Sequence, residues 1–303
     1  MPNSANKTDV KTHAFYAKAA VVKYKLDDAS IAVRTFGKGP ALIFIHGYPV
    51  NGLTWSKILP ALAQRYTCHV IDLPGFGDSE WNNTTDFTFT AHARRINLLV
   101  KALGLNEYSF IAHDTGATIA RLAAVEQAKS VKNLVIINTE MPNHRPPWIP
   151  FYQWCAKLPL AALTFRALLQ SKMFVRSSMG LGEFYADKVR FKREYPVAPY
   201  LKPLIASQKK MQGSLNYLCG VEWPVVDSFA TRHAEIQADT LLLWGECDRT
   251  FPVELAQLMQ KQFTCHTEFI RIKNASLMPH EEQPEQVSKH LLDFFEKAQA
   301  TPI

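Results

Sequence analysis

Short apolar runs that end at turn-forming residues recur along this chain, and they constrain its fold more than any other feature of the sequence. The runs at 40–45 (PALIFI), 108–112 (YSFIA) and 240–244 (TLLLW) are almost continuously apolar, which is typical of strands buried on both faces. Segments with helical periodicity lie between them, among them Thr88–Leu103. This alternation predicts an α/β fold, in which helices cover a mostly parallel sheet.

The alternation of strands and helices stops between about residue 139 and residue 226. This segment contains nine prolines and clustered aromatic residues, and the alternation resumes after it with the run at 240–244. We therefore interpret 139–226 as an insertion that folds over the core. The predicted domains are a core formed by 1–138 and 227–303 and a cap formed by 139–226.

The excess positive charge of the chain lies in this predicted cap. The formal net charge is +7, and residues 141–226 contain 12 Lys and Arg against 4 Asp and Glu. Such a surface is either simply solvated or attracts an anionic partner. The options are a small-molecule substrate that carries an anionic group, or peripheral membrane contact through 150–176. No nucleic-acid motif accompanies the charge, so nucleic acid is not an expected partner.

Five scattered cysteines carry no sign of a disulfide framework or of a metal site. They are Cys68, Cys155, Cys219, Cys247 and Cys265, and their spacing fits neither pattern. They indicate reduced thiols and a cytoplasmic location. The sequence predicts no metal and no other cofactor.

A strand, a sharp turn and the start of a helix meet at Asp114. Ala112 and Gly116 lie two positions before and after it. A turn this tight accepts only small side chains around it, and it projects the central residue at a helix N-terminus, where a negative charge is favoured. The pattern predicts that Asp114 is a nucleophile; the alternative is an aspartate that only caps the helix.

Two further segments strengthen the catalytic interpretation. The loop 46–49 (HGYP) follows the run at 40–45, where backbone N–H groups can stabilise developing negative charge, and Asp248 follows the run at 240–244. Together with the turn Asp72–Ser79 (DLPGFGDS), these motifs resemble the α/β-hydrolase superfamily over most of the chain. The resemblance implies a mostly parallel eight-stranded sheet with a helical cap inserted after the sixth strand.

With an aspartate at the turn, the chain resembles one branch of this superfamily, which contains the epoxide hydrolases and the haloalkane and fluoroacetate dehalogenases. In that branch the carboxylate attacks an sp³ carbon, and a histidine then activates the water that hydrolyses the resulting ester. The resemblance implies that Asp114 is the nucleophile and that Asp248 orients the base. It also implies an oxyanion hole formed by the N–H groups of Tyr48 and Thr115, and a cis peptide bond before Pro49.

The position of the base departs from the family pattern. The family places its histidine four residues before an acidic helix start, and this chain has Leu277 there, in the stretch 274–284 (NASLMPHEEQP). Leucine cannot accept a proton, and the nearest imidazole is that of His280. Three interpretations stay open: the base is lost and ester hydrolysis is slowed, His280 reaches the site in its place, or the protein binds a ligand without hydrolysing it.

The residues expected around the substrate do not select one substrate class. Thr115 lacks the indole N–H that holds the halide in haloalkane dehalogenases. Tyr152 and Tyr217 lie near the positions of the two cap tyrosines that activate the epoxide in epoxide hydrolases, although both could equally be packing residues. The predicted substrate contacts are His46, Pro49, His113, Trp148, Tyr152, Trp154 and Tyr217.

The acid that orients the base has two candidates. Asn138 occupies the place of the acid in some dehalogenases but cannot serve, so Asp248 is preferred and Glu140 comes second. The function that follows is a hydrolase that attacks an epoxide or a carbon–halogen carbon through Asp114, with a slowed hydrolysis step. The alternative is a catalytically reduced ligand-binding protein or sensor.

Overall fold

A central β-sheet forms the framework of the molecule. The computed structural model describes residues 4–300, and it describes the side chains of residues 9–298. The described strands are β1 Val21–Leu26, β2 Ala29–Phe36, β3 Ala41–Ile45, β4 Thr67–Asp72, β5 Glu80–Trp81, β6 Tyr108–His113, β7 Val131–Ile137, β8 Asp239–Gly245 and β9 Thr267–Ile272. Eight of these strands follow one continuous order, β1-β2-β4-β3-β6-β7-β8-β9, and β5 pairs with β2 beside that order.

The pairing of the strands confirms the predicted α/β fold with a mostly parallel sheet. β2 pairs antiparallel with β1, β4 and β5, whereas the neighbouring pairs from β4 to β9 are parallel. The continuous order contains the eight strands that the resemblance implies. β5 corrects that number to nine, because a two-residue strand is too short to show any periodicity in the sequence.

Helices cover both faces of this sheet. The described helices are α1 Ser4–Ala17, α2 Leu59–Leu62, α3 Phe89–Ala102, α4 Thr115–Glu126, α5 Trp148–Ala156, α6 Ala161–Gln170, α7 Lys172–Arg176, α8 Lys188–Glu194, α9 Ala198–Ala206, α10 Gln208–Cys219, α11 Trp223–Arg232, α12 Val253–Gln260, α13 Pro279–Glu282 and α14 Pro284–Ala300, and short 3₁₀ helices cover Gly52–Lys57 and His233–Glu235. None of the helices within residues 4–300 combines the length and the apolar composition that spanning a lipid bilayer requires.

The two faces of the sheet bury two separate apolar clusters. Successive side chains of a strand point to opposite faces, so β3 divides between the clusters. Ile43 belongs to the cluster that contains residues of α3 and α4, and Phe44 belongs to the cluster that contains residues of α2 and α14. Burial of both faces explains why β3 is apolar at every position.

The segment between β7 and β8 is helical and packs into the first of these clusters. Helices α5 to α11 occupy it, and buried residues such as Leu204 of α9 and Leu215 of α10 share a cluster with Ile43. The segment follows the sixth strand of the continuous order, where the resemblance places a cap. The predicted cap boundary at residue 226 falls inside α11, so the division into core and cap stays a prediction.

The fold brings several loops to one edge of the sheet. β3, β6, β7 and β8 are parallel neighbours, so the loops at their carboxyl ends lie together, where open α/β sheets bind ligands. These loops carry the segment 46–49, Asp114, the segment 138–140 and Asp248.

Candidate active site

Asp114 occupies the sharp turn between β6 and α4. Its backbone has φ 51° and ψ −133°, a conformation that residues other than glycine rarely adopt. A Cβ atom at Gly116 would lie 2.4 Å from the carbonyl oxygen of His46, so only glycine lets α4 begin this close to the end of β3. The turn holds the Asp114 carboxyl at the N-terminus of a 12-residue helix, where a negative charge is stabilised.

Two backbone N–H groups bind the Asp114 carboxyl. The N–H of Tyr48 donates to Oδ2 over 2.8 Å, and the N–H of Thr115 donates to the same carboxyl. A Cβ atom at Gly47 would lie 2.5 Å from this Oδ2, so glycine allows the loop to approach. The peptide bond between Tyr48 and Pro49 is cis. The two residues whose N–H groups the resemblance assigns to an oxyanion hole thus lie against the carboxyl itself.

A second carboxyl, that of Glu140, lines the same cavity as Asp114. Burial and the neighbouring Glu140 raise the pKa of Asp114 well above its usual range, against the effect of the two N–H donors. Burial also raises the pKa of Glu140, although its Oε2 lies 2.8 Å from the Thr118 hydroxyl and 2.9 Å from the Thr139 hydroxyl. Two carboxyls that share a site of low dielectric constant resist double ionisation.

Arg121 lies beneath this pair but does not form an ion pair with either carboxyl. Its guanidinium donates to the backbone carbonyl of Glu140 over 2.9 Å and to Thr118 Oγ1 over 2.6 Å. On the sequence alone, Glu140 is only the second choice of acid. The signal that would have placed it in the cavity is its position three residues beyond β7, beside the turn that holds Asp114.

The Asp248 carboxyl lies at the end of β8 with three hydrogen-bond donors around it. Its Oδ1 accepts from the N–H groups of Thr250 and Phe251, and its Oδ2 accepts from the Asn138 amide over 2.6 Å. Burial raises the pKa of Asp248 to about 6, against the effect of these donors. Asp248 is not among the described residues that line the cavity, and its oxygens are satisfied without an imidazole.

Leu277 occupies the position at which the resemblance implies a basic histidine, and its side chain is aliphatic. It is buried and lines the cavity together with Asp114. Its loop lies against the loop of Asp248, because the N–H of Cys247 donates to the carbonyl of Ala275 over 2.9 Å. His113 fixes the loop further, since its Nε2 donates to the Leu277 carbonyl over 2.8 Å.

The structure contradicts the interpretation that His280 takes the place of the base. His280 is completely buried and does not belong to the described lining of the cavity. The Thr54 hydroxyl donates to Glu281, so His280 Nε2 must donate to Thr54 Oγ1, 2.8 Å away. The imidazole also packs on Trp55 at 4.6 Å between ring centroids, and burial lowers its pKa well below the usual value. At its position in α13, the His280 side chain points into the protein interior, away from the cavity.

The cavity itself is apolar and has a volume of about 140 Å³. The two carboxyls stand out in its lining, and no Lys or Arg belongs to the described part of that lining. The expected anionic group of a substrate would therefore find no cationic partner there. The lining residues are Tyr48, Pro49, Asp114, Thr115, Glu140, Trp148, Ile149, Tyr152, Phe165, Leu169, Phe174, Met179, Gly180, Leu181, Phe184, Leu204, Met211, Ser214, Leu218, Val221, Thr250, Phe251 and Leu277.

Three of the seven predicted substrate contacts line the cavity, namely Pro49, Trp148 and Tyr152. Trp154 does not, and it is 60% exposed. Residues two positions apart in an α-helix point in directions that differ by about 200°. Because Tyr152 of α5 points into the cavity, Trp154 points away from it. The prediction that Trp154 contacts the substrate is therefore wrong for this structure.

The remaining predicted contacts are buried behind the cavity and support its walls. His46 donates from Nδ1 to the Gly47 carbonyl and accepts at Nε2 from the N–H of Leu73, so both ring nitrogens hold the loop. His113 binds the Leu277 carbonyl. Tyr217 donates to Thr115 Oγ1 over 2.9 Å.

The two tyrosines that resemble the epoxide-activating pair do not point their hydroxyl groups together into the cavity. Tyr152 lines the cavity, but its hydroxyl donates to the carbonyl of Met179. Tyr217 lies outside the described lining, with its hydroxyl bound to Thr115. Both hydroxyls donate to protein groups, so neither is free to donate to a ligand in this structure.

Comparison with known proteins places this site within a family. A family model described as alpha/beta hydrolase fold matches residues 40–284. Haloalkane dehalogenase 2 of Mycobacterium bovis is 25% identical over 265 residues, which are 86% of this chain and 89% of that protein. Epoxide hydrolase 3 of Xenopus tropicalis is 24% identical over 278 residues, which are 86% of this chain and 72% of that protein.

The fold agrees with a solved structure as well. A structure of an epoxide hydrolase without ligand superposes with a TM-score of 0.78 at 20% sequence identity, and it covers 92% of this chain and 99% of its own. The match of the family model extends from the end of the loop before β3 to the start of α14. The chain therefore belongs to the alpha/beta hydrolase fold family.

Proposed function

We propose that this protein captures an apolar electrophile, an epoxide or an alkyl halide, as an ester of Asp114. The observation that carries the proposal is the position of the Asp114 carboxyl, which lines an apolar cavity at a strained turn and accepts N–H bonds from Tyr48 and Thr115. A carboxylate held in this way is a nucleophile for saturated carbon. The dehalogenase and epoxide hydrolase among the relatives support this substrate class.

The proposed first step forms a bond between Asp114 Oδ1 and an sp³ carbon of the substrate. Oδ2 is bound by the N–H of Tyr48, which leaves Oδ1 to supply the electron pair. In an alkyl halide the carbon–halogen bond breaks, and the halide leaves with its electrons. In an epoxide the ring carbon–oxygen bond breaks, and the alkoxide takes a proton from water. Oδ2 becomes the carbonyl oxygen of the ester and keeps the N–H of Tyr48 as its donor.

The proposed second step, hydrolysis of the ester by water, is slow. Attack of water on the ester carbonyl needs a group that accepts its proton, and Leu277 cannot do so. Assistance by a general base contributes roughly 10²- to 10⁴-fold. We therefore expect the ester to accumulate on the protein.

Intact-mass measurement after incubation with panels of apolar epoxides and alkyl halides tests this proposal. We expect an adduct on the peptide that contains Asp114, and no adduct in Asp114→Asn. Leu277→His restores a base beside the Asp248 loop, so we expect it to shorten the lifetime of the adduct by about 10²-fold or more. Leu277→Asn is the matched control, because it introduces a polar side chain without a basic nitrogen and should leave the lifetime long.

Two results would count against the proposal. If no member of the panels modifies the wild-type protein or Leu277→His, Asp114 is not a nucleophile for these carbons. If the adduct forms but Leu277→His and Leu277→Asn release it at the same rate, position 277 does not carry the base in this fold.

A second candidate function is reversible binding of an apolar ligand without chemistry. It is favoured by the satisfied hydrogen bonds of Asp248 and by the aliphatic side chain at 277. This function predicts that unreactive apolar analogues bind equally well to the wild type and to Asp114→Asn, and that no reactive compound gives an adduct. Adduct formation on the wild type separates the two functions.

A further inference from the structure

The predicted cap exposes an unusual number of large apolar side chains on one stretch of chain. We name the apolar cap face by its exposed members, which are Trp148, Phe151, Trp154, Leu158, Leu160 and Leu163. Their exposed fractions range from 40% at Trp148 to 72% at Leu160. Single exposed apolar residues are common, but a cluster of this kind marks an interaction surface.

The geometry of α5 gathers the aromatic members of the apolar cap face. Trp148, Phe151 and Trp154 follow one another at intervals of three residues, which places them on one side of the helix. The rings of Phe151 and Trp154 lie 6.5 Å apart between centroids. Leu158 and Leu160 lie in the short connection from α5 to α6, and Leu163 follows in the first turn of α6.

The stretch of chain that carries the apolar cap face is basic. Residues 141–182 contain five basic side chains and no Asp or Glu. Lys157 is exposed between Trp154 and Leu158 and forms no ion pair with a residue that the structure describes. Arg145 is exposed just before α5 and is paired with Asp227. Tryptophan and phenylalanine flanked by Lys and Arg are the combination that favours the headgroup region of a bilayer with anionic lipids.

The same surface is continuous with the cavity that contains Asp114. Trp148 is 40% exposed and Met179 is 50% exposed, and both also line the cavity. An apolar ligand dissolved in the bilayer would meet the cavity wall at the surface that contacts the lipid.

We propose that the apolar cap face docks this protein on the surface of an anionic lipid bilayer, with Trp154 and the leucines at the acyl boundary and Lys157 at the headgroups. A lipid surface fits better than a second copy of this chain. In a symmetric dimer the two faces would oppose each other, and each would bring Lys157 without an acidic partner against the same basic stretch of the other copy. This proposal stands independently of the chemistry at Asp114.

Co-sedimentation with vesicles tests the proposal on the complete chain. The two probes are vesicles of phosphatidylcholine alone and of phosphatidylcholine with about one third phosphatidylglycerol. We expect binding to the anionic vesicles at low salt, weaker binding when salt screens the charges, and little binding to phosphatidylcholine alone. Lys157→Glu and the pair Trp154→Ser with Leu160→Ser should each reduce the partition coefficient by about tenfold.

Leu258→Ser is the matched control, because Leu258 is 56% exposed on α12, outside the apolar cap face. It should bind vesicles like the wild type. Absence of binding to anionic vesicles at low salt would overturn the proposal, and so would equal loss in Leu258→Ser and in the apolar-face variants. A dimer in solution that Trp154→Ser with Leu160→Ser dissociates, without vesicle binding by the wild type, would assign the face to a second copy instead.

Discussion

At the scale of single residues, the pairing of Asp114 with Glu140 decides how the nucleophile responds to pH. Both carboxyls line one apolar cavity, and the proximity of Glu140 adds to the effect of burial on the pKa of Asp114. The raised pKa means that Asp114 loses its proton at higher pH than an ordinary aspartate. Because only the ionised carboxylate attacks, the rate of ester formation should rise with pH through this raised value.

Glu140→Gln should move this profile toward lower pH. The substitution removes the nearby negative charge and so weakens one of the two causes of the raised pKa. At pH values where Glu140 is ionised and Asp114 is still largely protonated, the substitution leaves a larger fraction of Asp114 ionised, and we expect ester formation to accelerate a few-fold there. Little change is expected at more acidic pH, where Glu140 is neutral, or at alkaline pH, where Asp114 is ionised in both proteins. The measurement is the rate of adduct formation by intact mass over a series of pH values.

Glu285→Gln is the control for this experiment, since it removes one exposed carboxyl at the start of α14. Its profile should coincide with that of the wild type. A Glu140→Gln profile that coincides with the wild type as well, or that moves toward higher pH, would show that Glu140 does not act on the ionisation of Asp114.

The sequence predicts the residues of the turn better than the residues around it. Asp114, Tyr48 and Thr115 lie where their motifs imply, because backbone geometry alone places them. The orientations of Trp154 and Tyr217 depend on how the helices of the insertion rotate against the core, and no local motif encodes that rotation.

At the scale of elements, the four-residue helix α13 ties the insertion to the core. Its Glu281 carboxyl accepts hydrogen bonds from the hydroxyls of Thr54 and Tyr200 at Oε1 and from the hydroxyl of Tyr185 at Oε2, each over 2.6 Å. Thr54 lies between β3 and β4, whereas Tyr185 and Tyr200 lie in the helical segment between β7 and β8. A buried carboxyl with three hydroxyl donors therefore joins the segment between β7 and β8 to the loop after β3.

Tyr200→Phe should lower the free energy of unfolding by about 1.5–3 kcal/mol, because a buried charged acceptor loses one donor. Tyr195→Phe is the matched control: its hydroxyl makes no hydrogen bond to any residue that the structure describes, and its ring contacts with Lys172 and Arg176 survive in phenylalanine. Urea unfolding of both variants at one pH measures the difference. Equal losses of stability in the two variants would contradict the role of the Glu281 cluster.

The elements of the core could be predicted because each has a periodic pattern of its own. The apolar runs mark β3, β6 and β8, and the helical periodicity of 88–103 marks α3, which Thr88 caps through its side chain. The sequence between two predicted strands also favours one helix near Leu53–Arg65. The structure instead has a 3₁₀ helix and the short α2 there, and Pro60 lies in the first turn of α2. Proline lacks the N–H that a continuous helix would need there.

At the scale of the whole molecule, the cavity lies where the insertion covers the sheet edge, so its filling should affect the stability of the entire fold. Its lining combines loop residues, such as Tyr48 and Leu277, with residues of α5, α6 and α10. The sequence does not predict the size of this cavity, because the cavity forms between segments that lie far apart along the chain.

An apolar group attached to Asp114 should therefore stabilise the folded protein. Burial of apolar groups contributes about 0.8 kcal/mol per CH₂, so a chain of about four methylenes in the cavity of about 140 Å³ would contribute about 3 kcal/mol and raise the Tm by roughly 5 °C. The measurement compares thermal unfolding of the protein modified by compounds that differ only in the length of an apolar chain. We expect the Tm to rise with chain length until the cavity is full, and Asp114→Asn treated with the same compounds to keep its original Tm. If the attached chains leave the Tm unchanged or lower it at every length, the ester does not project into this cavity, and another path from Asp114 to solvent must accept the substrate.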